Sequence, residues 1–197
     1  MIAELVDRQE EKKKKRVAWG ITGSGDRLIE TVEVMKDVKE QYDDVVNIKV
    51  YLSRAGEQVI RYYKLVNTLN ETFGKFSVEK NPNTPFLAGQ LQVGRFEFLL
   101  IVPATSNTVA KIAMGIADSL LSNSAIMALK TFVPVYIMPS DYEEGIVLTK
   151  LPDGKDLKLR IRKEDVEHVK KLAEMDDVYI LEKPEDIYKV FEKHFGK

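Results

Sequence analysis

Two polar turns directly follow apolar segments of the sequence and have the composition of a phosphate-binding site. Residues 22–26 combine two glycines with a threonine, a serine and an aspartate, and they follow the apolar residues 17–21. Residues 103–108 follow the strongly apolar residues 96–102 and contain four consecutive polar side chains. Glycines let the backbone approach a ligand, and free N–H groups at a helix start attract phosphate. Because helix capping needs only one hydroxyl or amide side chain, the second turn exceeds that requirement.

A third polar turn, Ser53 and Arg54, follows the apolar residues 46–52. The carboxyl ends of parallel strands meet at one edge of a sheet, so we expect the three turns to lie there. Hydroxyl and backbone N–H groups at this edge suit a phosphate, a ribityl chain and ring amides. Each turn alone is also explained as a tight turn or a helix cap. The spacing of Gly20, Gly23 and Gly25 departs from the G-x-G-x-x-G fingerprint and disfavours an adenine dinucleotide.

Strands that alternate with helices position these turns. Leu28, Val32 and Met35 recur at the spacing of an amphipathic helix, which we expect to extend to about residue 42. The alternation predicts an α/β fold: a doubly wound three-layer sandwich, Rossmann-like or flavodoxin-like, with a mostly parallel sheet. Strands are further predicted at residues 46–52, 96–102, 133–139 and 178–181, and helices at residues 59–66, 109–120, 125–129 and 163–175, with Pro184 as the first residue of a last helix.

The length of 197 residues suits a single domain. Within it we distinguish a charged N-terminal extension, residues 1–16, which is a solvated segment or a docking arm for an acidic partner. Residues 141–197 form a C-terminal β/α extension of the same domain, and residues 71–94 read as a long loop. We expect residues 141–144 to form a solvated loop, with a place near a bound cofactor or at a subunit contact as the alternative. We expect the side chains of Trp19, Tyr62 and Tyr63 to pack in the core, with stacking on a ligand ring as the alternative.

The composition narrows the possible chemistry. The chain contains no cysteine, which excludes disulfides, iron–sulfur clusters, zinc–thiolate sites and cysteine nucleophiles, so redox chemistry requires a bound cofactor. The net charge of -1 gives no electrostatic reason to expect nucleic acid as a partner. No apolar run is long enough for a membrane span and no signal-peptide pattern is present, so we expect a cytoplasmic protein without a membrane partner.

The second turn and the residues after it resemble a known family signature. Residues 103–121 resemble the FMN-binding signature of the homo-oligomeric flavin-containing cysteine decarboxylase superfamily, and the resemblance covers residues 17–140. That superfamily includes peptidyl-cysteine and phosphopantothenoylcysteine decarboxylases, flavin prenyltransferases, dihydromethanopterin reductase and the archaeoflavoproteins. The residues of the signature are Pro103, Ala104, Thr105, Ser106, Asn107, Thr108, Val109, Ala110, Lys111, Ile112, Ala113, Gly115, Ile116, Asp118, Leu120 and Leu121.

The resemblance implies that FMN binds with its phosphate near Gly23, Ser24 and Ser53 and its isoalloxazine near residues 103–108, with Asn107 beside the reactive face. It also implies a homo-oligomer, dimeric or based on trimers, with the flavin near a subunit interface. No catalytic acid or base and no metal ligand is predicted. The predicted cofactor-binding residues are Thr22, Gly23, Ser24, Ser53, Arg54, Pro103, Ala104, Thr105, Ser106, Asn107 and Thr108.

Positions at which this sequence differs from the superfamily pattern distinguish between the branches of the superfamily. Residues 87–91 lack the catalytic histidine of the decarboxylases, and the chain has no cysteine for their lid. Its only histidines, His168 and His194, fall in predicted C-terminal helices, where we expect them to be solvated or capping. Residues 130–133 and 139–141 lack most cations that flavin prenyltransferases use. Decarboxylation and prenyl transfer are therefore disfavoured.

The remaining interpretation is that the protein uses its flavin in a redox reaction. The size, the absent cysteines and residues 162–167 look most like the archaeoflavoproteins, which implies electron transfer from a ferredoxin-type donor to an acceptor. One alternative is an FMN-dependent dihydromethanopterin reductase, whose pterin pocket would come from residues 71–94. Another is a non-catalytic FMN-binding protein.

Overall fold

A computed structural model describes residues 14–151 and 153–196 of the chain. Strands and helices alternate along most of this length. The strands are β1 (Lys15–Ile21), β2 (Val46–Leu52), β3 (Ser77–Val78), β4 (Phe98–Ala104), β5 (Val135–Pro139), β6 (Gly145–Lys150), β7 (Asp156–Ile161) and β8 (Val178–Ile180). The helices are α1 (Leu28–Gln41), α2 (Arg54–Tyr62), α3 (Val66–Phe73), α4 (Leu87–Gln92), α5 (Ser106–Ala113), α6 (Leu120–Leu129), α7 (Lys163–Ala173) and α8 (Asp186–Phe195).

Six of the strands form one parallel sheet in the order β3-β2-β1-β4-β5-β8. Counted along the chain, this is the doubly wound order 3-2-1-4-5-6, in which the winding direction reverses between β1 and β4. Strands β6 and β7 form a separate antiparallel hairpin. The predicted doubly wound α/β fold is therefore confirmed. The order also determines where the ligand crevice opens, at the carboxyl ends of β1 and β4.

Strand β4 lies in the centre of the sheet, and all seven of its residues are buried. Its alternate side chains face opposite sides, because successive residues of a strand point to opposite faces. Phe98 and Leu100 pack in one core layer, whereas Leu99 and Ile101 pack in the other. A strand covered on both faces is expected to be continuously apolar, which explains why residues 96–102 gave such a strong strand prediction.

Two helical layers cover the sheet. Helices α1, α2, α3 and α8 place buried side chains in the first core layer, and α4, α5, α6 and α7 place theirs in the second. Trp19 is fully buried in the first layer, where its Nε1 donates a hydrogen bond of 2.8 Å to the carbonyl of Val102. The predicted core packing of Trp19 is therefore confirmed, and this hydrogen bond adds a link between β1 and β4.

Two predicted helices are interrupted. The helix predicted at residues 109–120 ends at Ala113, and Gly115 follows with φ of 72°, a conformation that favours glycine. Ser119 and Ser122 then form a capping box that begins α6. The helix predicted through residue 66 is likewise split into α2 and α3. Periodicity could not reveal these breaks, because the apolar spacing continues across them.

The structure differs in detail from the predictions for the two terminal extensions and for the long loop. Residues 1–13 of the predicted N-terminal extension lie outside the described residues, and Lys15 and Arg16 belong to β1. Residues 71–94 contain the short elements β3 and α4. In the C-terminal extension β8 joins the main sheet, and α8 begins after its N-cap residue Glu185, so Pro184 precedes the helix. Among the described helices, none has the length and apolar composition that crossing a bilayer would need.

His194 is not the solvated or capping residue that the sequence suggested. Its Nε2 lies 2.8 Å from the hydroxyl oxygen of Tyr136, and its ring packs 4.7 Å from that of Phe98. Burial lowers the pKa of the His194 imidazole from its ordinary value, with Lys193 adding to the effect. The neutral ring thus helps to hold α8 on the sheet.

We expect acid to destabilise the fold through His194. The unfolded chain has the higher histidine pKa, so it binds more protons as the pH falls below 6.5, and the free energy of unfolding decreases. The contribution is fully present above that pH and is lost as the pH falls through the lowered pKa of the folded state. Denaturant titrations from pH 7 to 5 should show a shallower loss for His194→Gln than for the wild type. Parallel curves would contradict this role.

Candidate functional site

A cavity of about 420 Å³ opens at the carboxyl ends of β1 and β4, where the winding direction of the sheet reverses. Its floor comes from the first and second polar turns and from the end of β5, and its outer wall comes from the hairpin. The lining residues are Gly23, Ser24, Gly25, Asp26, Tyr63, Thr105, Ser106, Asn107, Ser140, Asp141, Val147, Thr149, Leu151, Leu157 and Leu159.

Thr22 joins the first and second turns from beneath the cavity. Its hydroxyl donates to the carbonyl oxygen of Pro103 at 2.8 Å and accepts from the backbone N–H of Thr105 at 2.8 Å. The Thr22 backbone N–H also donates to Pro103, and the side chain is buried. With both hydrogen-bonding capacities of the hydroxyl used inside the protein, Thr22 positions the turns and does not line the cavity.

The first turn is shaped by close packing. A Cβ added to Gly23 would lie 2.6 Å from the Cβ of Ala55, so α2 packs directly against this turn. Ser24 is buried, and its hydroxyl accepts from the hydroxyl of Ser140 at 2.6 Å and from the backbone N–H of Asp26 at 3.2 Å. A side chain at position 23 would fill the space that α2 needs, so the turn requires glycine.

The third turn is attached to the first by the main chain. The backbone N–H of Ser53 donates to the carbonyl of Ile21 at 3.0 Å, and the Ser53 hydroxyl caps α2 by accepting from the N–H of Gly56 at 2.9 Å. Arg54 turns away, and its guanidinium donates to the carbonyl of Lys80. Ser53 and Arg54 lie outside the cavity lining, so their contact with a cofactor stays a prediction.

Glu79 is a further neighbour of the third turn that sequence reasoning missed. Its carboxylate accepts from the backbone N–H of Arg54 at 3.3 Å and from that of Leu120 at 3.0 Å. It thus joins the N-terminal ends of α2 and α6, where the partial positive charge of a helix stabilises an anion. The half-buried Glu79 thereby attaches the chain after β3 to these two helix starts.

The second turn begins α5. Thr105 is its N-cap, and its hydroxyl accepts from the backbone N–H of Thr108 at 3.4 Å. Ser106 donates its hydroxyl to the carboxylate of Asp141, and Asn107 is exposed toward the cavity. Of the predicted residues, Gly23, Ser24, Thr105, Ser106 and Asn107 line the cavity, whereas Thr22, Ser53, Arg54, Pro103, Ala104 and Thr108 lie beside or beneath it.

The outer wall was not anticipated. On one face of the hairpin, Val147 pairs with Leu159 and Thr149 pairs with Leu157, and all four side chains line the cavity. The cavity therefore has a polar floor of hydroxyls and a largely apolar wall. Such a division suits a ligand with a flat ring and a polar tail.

The predicted core packing of Tyr62 is wrong, because its side chain is exposed. Tyr63 is partly buried and packs against the first core layer, as predicted, but it also lines the cavity. Asp141, expected to be solvated, follows β5 at the same edge as the turns and is half-buried. The rule that strand ends meet at one edge would have found Asp141, since it comes directly after a predicted strand.

Two carboxyl groups face the cavity. Burial raises the pKa of the Asp26 carboxyl, and the charges of Asp141 and Glu30 raise it further, whereas Arg27 acts in the opposite direction. Burial also raises the pKa of Tyr63. The cavity thus combines serine hydroxyls, an amide and helix-start N–H groups with an acid that resists ionisation. These donors fit a phosphate, a ribityl chain and the amide edge of an isoalloxazine.

Fold and cavity define a doubly wound α/β protein with a crevice for a phosphorylated ring. Residues 5–190 match the Flavoprotein family. The chain therefore belongs to the Flavoprotein family, and the prediction of a flavoprotein is confirmed.

Three similar proteins refine this assignment. An uncharacterised protein of Methanocaldococcus jannaschii is 49% identical over 91% of this chain and 95% of its own length. A dihydromethanopterin reductase (acceptor) of the same organism is 33% identical over 89% of this chain and 95% of its own length. The crystal structure of Burkholderia xenovorans DmrB in complex with FMN, described as a cubic protein cage for redox transfer, superposes with a TM-score of 0.77 and 28% identity, covering 93% of this chain and 96% of that one.

We expect Thr22→Val to destabilise the protein by about 1–3 kcal/mol, because it leaves the half-buried Thr105 N–H without its acceptor. Thr22→Ser keeps the hydroxyl and should retain most of the stability. Denaturant unfolding of both variants measures the difference. Equal stability of the two variants would show that the hydroxyl does not join the turns.

Ser53→Ala should lower the free energy of unfolding by about 1 kcal/mol, because α2 loses its cap. If Ser53 also contacts the cofactor phosphate, the same variant should weaken FMN binding, measured by quenching of flavin fluorescence. Ser119→Ala is a matched control, because it removes the cap of α6, a helix that does not line the cavity. Equal FMN affinity in the two variants would show that Ser53 does not contact the cofactor.

Proposed function

We propose that this chain is an electron-transfer flavoprotein, which holds FMN in the cavity at the carboxyl ends of β1 and β4, takes electrons from a ferredoxin-type donor and passes them to an acceptor. The observation that carries the proposal is the convergence of the polar first and second turns on one cavity beneath an apolar wall. FMN supplies both one-electron and two-electron chemistry, while the protein supplies binding and orientation.

FMN is the cofactor. The Flavoprotein family match and the FMN-bound structure of DmrB support it, and the cofactor prediction is confirmed. In our proposal the phosphate lies near Gly23, Ser24 and Ser53, where helix-start N–H groups and hydroxyls are available. The ring lies against residues 103–108, with Asn107 beside its reactive face and the hairpin covering the other side.

Ferredoxin as the donor follows from the resemblance to the archaeoflavoproteins and stays a proposal. One-electron transfer requires no side chain to act as acid or base on a substrate, which agrees with a cavity built mainly of hydroxyls and apolar groups. We also propose a homo-oligomer, dimeric or based on trimers, because the DmrB relative is described as a cubic cage. A cytoplasmic location completes the proposal.

A second candidate is FMN-dependent reduction of a dihydropterin. It is favoured by the similarity to a dihydromethanopterin reductase and by the two cavity carboxyls, Asp26 and Asp141, which can accept hydrogen bonds from the N–H groups of an aminopyrimidine ring. In this case the apolar wall, and not residues 71–94, would cover the pterin, since no residue of 71–94 lines the described cavity.

We expect the purified protein to bind FMN and to lose its visible flavin absorbance when reduced ferredoxin is added without oxygen. Loss of absorbance with ferredoxin and no consumption of dihydropterin supports electron transfer, whereas turnover of dihydropterin selects the second candidate. Asn107→Ala should slow ferredoxin-dependent reduction, while Asn47→Ala, near the opposite end of β2, should not. A protein that cannot be loaded with FMN would contradict both candidates.

A further inference from the structure

Asp26 occupies an unusual position among the carboxyl groups of the described residues. It lies in the first turn, between β1 and α1, and lines the cavity next to Ser24 and Gly25. The side chain is half-buried, yet no group of the described residues donates a hydrogen bond to its carboxylate, since only its backbone N–H is paired, with Ser24. A carboxylate that loses water without gaining donors holds its charge poorly.

The charges around Asp26 reinforce this effect. Asp141 faces it from the end of β5, and Glu30 faces it from the first turn of α1, both with negative charge. Tyr63 lines the cavity after α2, and burial raises the pKa of its hydroxyl, with the charge of Asp26 acting in the same direction. The positive charge of Arg27 acts in the opposite direction, but its guanidinium donates to the carbonyl of Glu182 and not to the Asp26 carboxylate.

Asp141 differs from Asp26 in this respect. Its carboxylate accepts a hydrogen bond from the hydroxyl of Ser106. Of the two carboxyls in the cavity, Asp26 is therefore the one whose oxygens have no donor among the described residues, and it is the one placed to exchange a proton.

A one-electron donor delivers electrons without protons. Electrons that enter a flavin in this cavity add negative charge close to Asp26, and a nearby negative charge disfavours an ionised carboxylate. Resting on the proposed function, we infer that Asp26 is the redox-linked proton site of the cavity: its carboxylate binds a proton when the cofactor is reduced and releases it when the cofactor is oxidised.

The step balances in charge and atoms. Each electron comes from the reduced iron–sulfur centre of the donor, which is oxidised, and the proton comes from water and bonds to a carboxylate oxygen of Asp26. When the electrons leave for the acceptor, the O–H bond breaks and the proton returns to water. Because binding linkage is reciprocal, a protonated Asp26 must also make the cofactor easier to reduce.

The test compares Asp26→Asn with Glu40→Gln. Asparagine resembles the protonated carboxyl, and the control removes the same charge from an exposed residue in the last turn of α1, outside the cavity. Spectroscopic redox titrations of FMN-loaded protein, reduced by dithionite with mediator dyes from pH 5 to 9, give the midpoint potential. We expect Asp26→Asn to lose up to one proton per electron pair from the pH dependence and, at high pH, to be more easily reduced than the wild type at the same pH, because the flavin's own proton uptake is common to both proteins. Glu40→Gln should keep the wild-type slope.

Reduced-minus-oxidised infrared spectra of the wild type provide a second readout that needs no variant. Reduction should produce the carbonyl stretch of a protonated carboxyl, and Asp26→Glu should retain the band at a shifted frequency. A wild-type spectrum without this band, or an Asp26→Asn protein with an unchanged slope, overturns the inference while leaving the proposed function intact. Failure of the wild type to bind FMN overturns both.

Discussion

The hydrogen bonds of Thr22 are the constraint on which the site depends. Strands β1 and β4 are far apart in sequence but pair in parallel at the point where the winding of the sheet reverses. Beyond that pairing the two strands lead into separate turns. The Thr22 hydroxyl links these turns, because it donates to the carbonyl of Pro103 and accepts from the N–H of Thr105. The position of α5, and of every side chain at its start, follows from this link.

The sheet and the hairpin contribute different chemical groups to the cavity. Strand ends and helix starts present N–H groups and hydroxyls, which bind a phosphate without a large charge on the protein. The hairpin contributes Val147, Leu157 and Leu159, which form a partly exposed apolar wall opposite the polar turns. An isolated two-stranded hairpin is marginally stable in water, so contact with a bound ring is expected to stabilise it.

Electrostatics distinguish this cavity from a simple phosphate cradle. Its two carboxyls experience different surroundings, because Ser106 donates to Asp141 while Asp26 gains no donor among the described residues. Burial therefore disfavours the ionised form of Asp26 without a hydrogen bond to compensate for it, and the pKa of the carboxyl is raised. A redox protein can use such a group to limit the charge that accumulates when electrons arrive, since a neighbouring negative charge drives it toward the neutral form.

The sequence by itself determined the layers of the fold and the edge at which the site opens. Apolar periodicity located the strands and most helices, because burial on one face or on both faces requires it, and the polar residues 103–108 identified the flavin signature. Only the tertiary structure decided that the hydroxyls of Thr22 and Thr108 form hydrogen bonds within the protein, that Tyr63 lines the cavity as well as packing against the core, and that the hairpin forms the outer wall of the cavity. These outcomes depend on strand order and on the direction of a hairpin, which are set by contacts between residues distant in sequence and leave no local pattern.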